Sequence, residues 1–171
     1  MCIRDRVITG KREEHHLIPT PGRPYQSLLL LGLGKREEFD AETLRRSAGA
    51  ACESLRQHRV HALVLDASGA PELPVEAVLD GLVLGQYRFD RFRAEKADEP
   101  PWHGIQEATI VAAGDVDLSQ CITRCERAVL ACENANWARD LANAPPNDLT
   151  PTRFAEIGKE KKNMLDTEVM L

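Results

Sequence analysis

The chain has 171 residues, 43% of them hydrophobic and 29% charged, with a net charge of −5. That length suits one ordinary domain, able to bury about two thirds of the surface its unfolded chain exposes. The acidic balance and 5% aromatic content exclude a basic, stacking platform for nucleic acid. No run approaches the ~18 apolar residues of a membrane span.

Charge is uneven: residues 1–60 carry +3 and residues 61–171 carry −8. Both signs are interspersed in the first stretch, which reads as a solvated surface. Five cysteines are an odd count. The opening MCIRDR is not followed by the apolar core of a secretory signal. A cytoplasmic setting with free thiols is therefore expected. MCIRDR, residues 1–6, matches no element and is read as a non-native leader.

In chain order, Leu17–Ile18 predicts a short strand, followed by a proline-rich turn. Ser27–Lys35, SLLLLGLGK, is an apolar run ended by glycines and predicts a strand buried on both faces. Asp40 is placed as the N-cap of a helix whose apolar face is Ala41, Leu44, Ala48, Ala51, Cys52 and Leu55. His61–Asp66 predicts a second buried strand, and strand, helix, strand reads as a βαβ unit. Pro74 then starts a helix lined by Val75, Val78, Leu79, Leu82 and Val83, which Gly85 ends. Tyr87, Phe89 and Phe92 anchor an edge strand or loop on the core. Glu107–Ala113 predicts a third clear strand.

A long helix follows from about Leu118 to Ala142, capped by Asp117, with Val129 and Trp137 on its faces. Two prolines in NAPPN forbid its continuation. Thr150 and Pro151 open another helix as N-cap and first residue. Thr167–Leu171 reads as the beginning of a strand. No internal repeat and no low-complexity tract is present.

Candidate chemistry is sparse. GLGK at Gly32–Lys35 fails both phosphate-loop patterns: Arg36 follows the lysine where Ser or Thr is needed, and Glu37 stands where a third glycine is needed. It reads as a tight turn. His15 and His16 point to opposite faces of a strand and cannot share a metal. His58, His61 and His103 lack metal-ligand spacing. Ser68 has no GxSxG context. Asp115 and Asp117 are explained as helix-start residues. Cys121, Cys125 and Cys132 fall within about 40° of one another at 100° per residue, so they read as small core residues on one helix face rather than ligands.

The stretch Trp137–Glu160, WARDLANAPPNDLTPTRFAEIGKE, is the most specific in the chain. It resembles the interdomain junction of the leucyl aminopeptidase family, the cytosolic di-metal aminopeptidases. Ala138, Arg139, Asp140, Leu141, Asn143, Pro145, Pro146, Asn147, Leu149, Thr150 and Pro151 match that family's helix end, proline turn and helix start. GLGK with its alanine-rich helix, and GLVLGQYRFDRF, resemble the family's N-terminal domain in the same order, so the likeness covers about residues 27–171.

The resemblance implies a macro-domain-like mixed β-sheet flanked by helices, in an α/β domain over residues 7–143. A proline-rich junction at 144–150 and the start of a catalytic domain at 151–171 would follow. Arg139, Asp140, Asn143, Pro145, Pro146, Asn147, Thr150 and Pro151 are the structural junction residues. Strands that the family has before GLGK are missing or reduced. The family's activity is metal-dependent removal of N-terminal amino acids from peptides by two divalent ions, Mn or Zn, in a homohexamer. Its ligand motifs, of the kind N-T-D-A-E-G-R and F-D-S-G-G, do not occur in this sequence. No catalytic or metal-binding residue is therefore assigned here, and this stretch alone is expected to be inactive. Its partner would be the catalytic domain of the same chain, with no membrane or nucleic-acid partner. A second reading, of another class, is a stand-alone macro-like binding module for nucleotide, ADP-ribose or DNA. It rests on fold analogy alone.

Overall fold

A computed structural model describes residues 8–70, 72–92, 102–112 and 114–165, with side chains to residue 160. The chain forms two compact units, Met1–Ala135 and Asn136–Leu171. The first contains β1 (His15–Pro19), β2 (Ser27–Leu31), α1 (Ala41–Gln57), β3 (Ala62–Asp66), α2 (Val75–Gly85), β4 (Glu107–Val111) and the first part of α3 (Leu118–Asn143). The second contains the end of α3 and α4 (Pro151–Leu165). The predicted leader and the predicted strand Thr167–Leu171 lie outside the described residues.

The class is mixed α/β. β1 and β2 form an antiparallel ladder, and β3 and β4 a parallel one. The expected βαβ unit from β2 through α1 to β3 does not form a paired crossover among the described residues. The paired crossover is β3–α2–β4. The apolar runs located the strands, but an apolar run carries no information about which partner it pairs with.

Burial also differs from the prediction. Val64 in β3 is 68% exposed and Leu28 in β2 is 44% exposed, so neither strand is covered on both faces. Leu29, Leu31, Leu63 and Leu65 pack inward on the core of α1 and α2. The long run at Ser27–Lys35 is a strand only to Leu31, because Gly32 and Gly34 then turn the chain. In the third predicted strand, pairing ends at Val111. Tyr87, Phe89 and Phe92 lie in a loop, where the Phe89 and Phe92 rings tilt together at 5.8 Å.

Helix α1 forms where the capping signal placed it. The Asp40 carboxylate accepts from Thr43 N–H at 2.7 Å and from the Thr43 hydroxyl at 2.6 Å. These bonds, the hydroxyl first, hold its carboxyl below the usual range. Leu44, Ala48, Ala51, Cys52 and Leu55 are buried as expected, but Ala41 is exposed. The first turn has not yet rotated onto the core, and Thr43 and Ser47 take the inner positions instead. Ser47 pays for its burial by donating to Gly32 O at 3.0 Å.

Helices α1 and α2 cross at glycines. A Cβ placed on Gly81 would lie 2.2 Å from Arg45 O, and one on Gly85 would lie 2.8 Å from Gly49 Cα. Only residues without a Cβ permit backbones this close. Pro74 is the N-cap of α2 rather than its first residue. Arg45 in α1 clasps Asp80 in α2 through Nε at 3.0 Å and Nη2 at 2.9 Å. Cys132 in α3 reaches the same carboxylate at 3.3 Å, so Asp80 ties three helices together. Arg124 and Glu76 add a longer α3–α2 contact at 3.8 Å. Asp117 caps α3 by accepting from Ser119 N–H at 3.0 Å and Gln120 N–H at 3.2 Å.

Candidate functional site

The residues expected at the junction lie within the second unit. Toward the end of α3, Arg139 Nη1 donates to Asn136 Oδ1 at 3.0 Å. The helix closes with Ala144 N–H shared between Asp140 O at 3.0 Å and Leu141 O at 3.3 Å, a common way of satisfying terminal carbonyls. Asn143 is the last helical residue. Pro145 and Pro146 cannot donate to any continuation of the helix. Pro145 O instead accepts from Asp148 N–H and Leu149 N–H, both at 2.9 Å. That bifurcated acceptor folds Pro146–Asp148 into a turn with Asn147 at its centre.

Thr150 then caps α4. Its hydroxyl accepts from Arg153 N–H at 3.2 Å and its carbonyl from Phe154 N–H at 2.9 Å. Pro151 occupies the first helical position, where no N–H is needed. Arg153 bridges Glu156 at 3.1 Å and Glu160 at 3.2 Å along one face, and these bonds raise its already high pKa. The helix end, the turn and the next helix start are thus held by local hydrogen bonds. The arrangement sets a direction between two helices.

GLGK and three of the histidines make local structural contacts. Gly32 N–H donates to Glu14 O at 2.6 Å, and Gly34, with φ of +77°, donates to Gly10 O at 2.8 Å. GLGK is therefore stitched to residues 10–14, and its amides face protein rather than a phosphate. His16 bonds Glu14 at 3.0 Å, His15 bonds Glu13 O at 3.2 Å, and His58 bonds Ser54 O at 2.8 Å. Glu14 was not anticipated by any spacing rule. It also accepts from the Thr9 hydroxyl at 2.8 Å and Lys11 N–H at 3.0 Å. His16 first, then Thr9, pull its pKa down to about 2.

Cys52, Cys121, Cys125 and Cys132 are free thiols. Cys121 and Cys132 are buried and Cys125 half-buried, on one face of α3. Burial pushes Cys52, Cys125 and Cys132 up to about 11, with Cys121 adding to the effect at Cys125 and Asp80 at Cys132. Such thiols are protonated and inert at neutral pH. Among the described residues no group of three or more His, Cys, Asp or Glu could hold a metal ion. These residues do not fit a two-metal centre.

Solved structures of other proteins share the fold of this chain. The bottromycin maturation enzyme BotP in complex with Mn superposes with a TM-score of 0.73 at 26% identity, over 94% of this chain and 32% of that one. A mutant of tomato leucine aminopeptidase shares the fold with a TM-score of 0.75 at 22% identity, over 92% and 31%.

The sequence is more specific. Residues 2–96 match the N-terminal domain of the cytosol aminopeptidase family, and the chain belongs to that family. A probable cytosol aminopeptidase of Geotalea uraniireducens is 36% identical over 161 residues, 91% of this chain and 32% of the relative. One from Mycobacterium leprae is 37% identical over 165 residues, 92% and 30%. The chain spans about a third of the length of these relatives.

Proposed function

We propose that this chain serves as the non-catalytic N-terminal domain, with its linking helix, of a leucyl-aminopeptidase-like metallo-exopeptidase. The complete protein would remove N-terminal amino acids from peptides in the cytoplasm as a homohexamer. The observation that carries this reading is the match over nine tenths of this chain to relatives three times its length. Two divalent ions, Mn or Zn, would act in the remainder of that longer protein. When bound, such a pair activates water and stabilises the charge that builds on the attacked carbonyl. The Mn in the BotP structure is in keeping with this.

The part played by the described residues is architectural. Thr150 and Pro151 start α4 at a fixed point after α3, and Pro145 and Pro146 stop α3 from running through. The exit geometry is held by backbone hydrogen bonds, so the direction in which the next domain is presented is set by the turn.

The first test is an assay of the purified 171-residue chain with Leu-p-nitroanilide and Mn²⁺ or Zn²⁺. No turnover above background is expected. Metal-dependent turnover by this chain would overturn the assignment of a non-catalytic role.

A further inference from the structure

Helix α3 holds two of its thiols side by side. Cys121 and Cys125 lie four residues apart, Cys121 buried and Cys125 half-buried. Helical residues at that spacing stand one above the other, with Cβ atoms about 5–6 Å apart. The two side chains are hydrogen-bonded to each other. Cys121 belongs to the apolar cluster with Ala67 and Val75, and Cys125 packs against it. Cys132 is about two turns further along and bonds Asp80 instead, so it stands apart from the pair.

The surroundings of the pair are polar on one side. A cavity of about 10 Å³ beside Cys121 is lined by Ala67, Leu73, Val116 and Arg124, among others. That is room for about one water-sized guest. Arg124, on the same helix, pairs with Glu76 of α2 at 3.8 Å. The second carboxylate oxygen of Glu76, Oε2, is buried and has no hydrogen-bond partner among the described residues. Burial first, then Cys121 and Glu76, keep the Cys125 thiol protonated. Such a thiol is a poor nucleophile. A soft cation reverses the balance, because it displaces the proton and brings the positive charge that a bare thiolate lacks here.

We infer that Cys121 and Cys125 form a two-coordinate site for a soft monovalent cation of the Cu⁺ class. Thiolate sulfur selects such ions over hard ones. Structural Zn²⁺ takes four ligands, and among the described residues no third His, Cys, Asp or Glu completes a set with these two. A two-coordinate ion needs no third. Binding replaces two S–H bonds by two S–Cu bonds and releases two protons to solvent. It leaves a bis-thiolate complex with a single negative charge, which the nearby Arg124 guanidinium offsets. No electron is transferred, so no oxidant or reductant is required. The site is separate from the divalent pair of the proposed function and does not depend on that reading.

The test uses the reduced 171-residue chain carrying Cys2→Ser, kept free of oxygen. It is titrated against Cu⁺ held by the coloured chelator bicinchoninate, and loss of colour reads transfer to the protein. One equivalent per chain is expected to move. The urea midpoint should rise with it, because the ion binds the folded helix better than the unfolded chain. Copper X-ray absorption should show two sulfur neighbours. Cys125→Ser and Cys121→Ser are each expected to abolish the transfer, while Cys52→Ser and Cys132→Ser leave it in place. If Cys121→Ser unfolds, Cys125→Ser decides, since its half-buried position admits a hydroxyl.

The inference is overturned if the chelator keeps its copper, if transfer survives Cys125→Ser, or if it requires Cys52 or Cys132. It is also overturned if the urea-unfolded chain takes copper as tightly as the folded one. Sedimentation showing dimers bridged by the ion would assign the copper to thiols of two copies and would overturn it too. Failure leaves family membership untouched, because that rests on the match of residues 2–96.

Discussion

The crossing of α1 and α2 can be tested with a single methyl group. In Gly81→Ala the new Cβ lies 2.2 Å from Arg45 O, 2.8 Å from Ala48 Cβ and 3.0 Å from Gly49 N. The nearest obstacle is main chain, so no rotamer change can relieve it. Alanine at a helical position gains roughly 0.5–1 kcal/mol over glycine. Overpacking a tight core costs roughly 1–3 kcal/mol, and a backbone obstacle sets the upper end of that range. The helices must separate, which loosens Leu44, Ala48 and Leu82 in the same cluster. The net is a loss of about 2 kcal/mol. For a chain of this size that corresponds to a fall in Tm of about 4–8 °C. Urea unfolding followed by circular dichroism measures it, with Gly69→Ala as control. Gly69 has no atom within 4 Å of its would-be Cβ and should change stability by no more than about 1 kcal/mol. A Gly81→Ala protein as stable as the parent would refute the close crossing.

Four other outcomes follow from the geometry. Asp80→Ala should destabilise by roughly 1–3 kcal/mol, since it removes the acceptor for Arg45 Nε and Nη2, leaving Arg45 only Glu42, and the acceptor near Cys132; a double-mutant cycle with Arg45→Ala should show strong coupling in urea melts. Glu14 has a folded pKa of about 2 against an ordinary value of 4.5, so its stabilising contribution is complete above about pH 5 and is lost as pH falls through 2. Glu14→Gln should flatten the dependence of stability on pH in that window, and carboxyl NMR of the parent should titrate well below the usual midpoint. Thr150→Ala should cost α4 about 0.5–2 kcal/mol, visible as faster amide exchange at Arg153 and Phe154 with α1 unaffected. Cys52, Cys125 and Cys132 should react slowly with a disulfide reagent at pH 7.5 and rapidly in urea, where burial no longer holds their thiols near pH 11.

Legibility in the sequence divided along physical lines. Helix starts were readable because Asp40, Asp117 and Thr150 act on amides two or three residues away. The single-face placement of Cys121, Cys125 and Cys132 was readable from helical period alone. Strand pairing was not, because the runs at Leu28–Leu31 and Leu63–Leu65 describe apolarity but not which edge meets which. Two-sided burial was overestimated for the same reason, since Val64 is apolar yet faces outward. The Asp80 and Glu14 hubs were invisible. Asp80 draws on Arg45 and Cys132 from two other helices, and Glu14 acts through a local turn with no spacing signature. The end of α3 at Asn143 and the start of α4 at Pro151 were legible, because prolines and a threonine cap dictate local geometry whatever surrounds them.

In the proposed function, this chain supplies architecture to an aminopeptidase whose chemistry is carried by the rest of a longer polypeptide. The most direct measurement joins residues 1–150 to the corresponding remainder of the Geotalea relative and assays Leu-p-nitroanilide hydrolysis with and without Mn²⁺ or Zn²⁺. The account predicts metal-dependent turnover by the hybrid, within about tenfold of the intact relative if the junction presents the domain correctly. A hybrid that folds and stays inactive, beside an active intact relative, would contradict it.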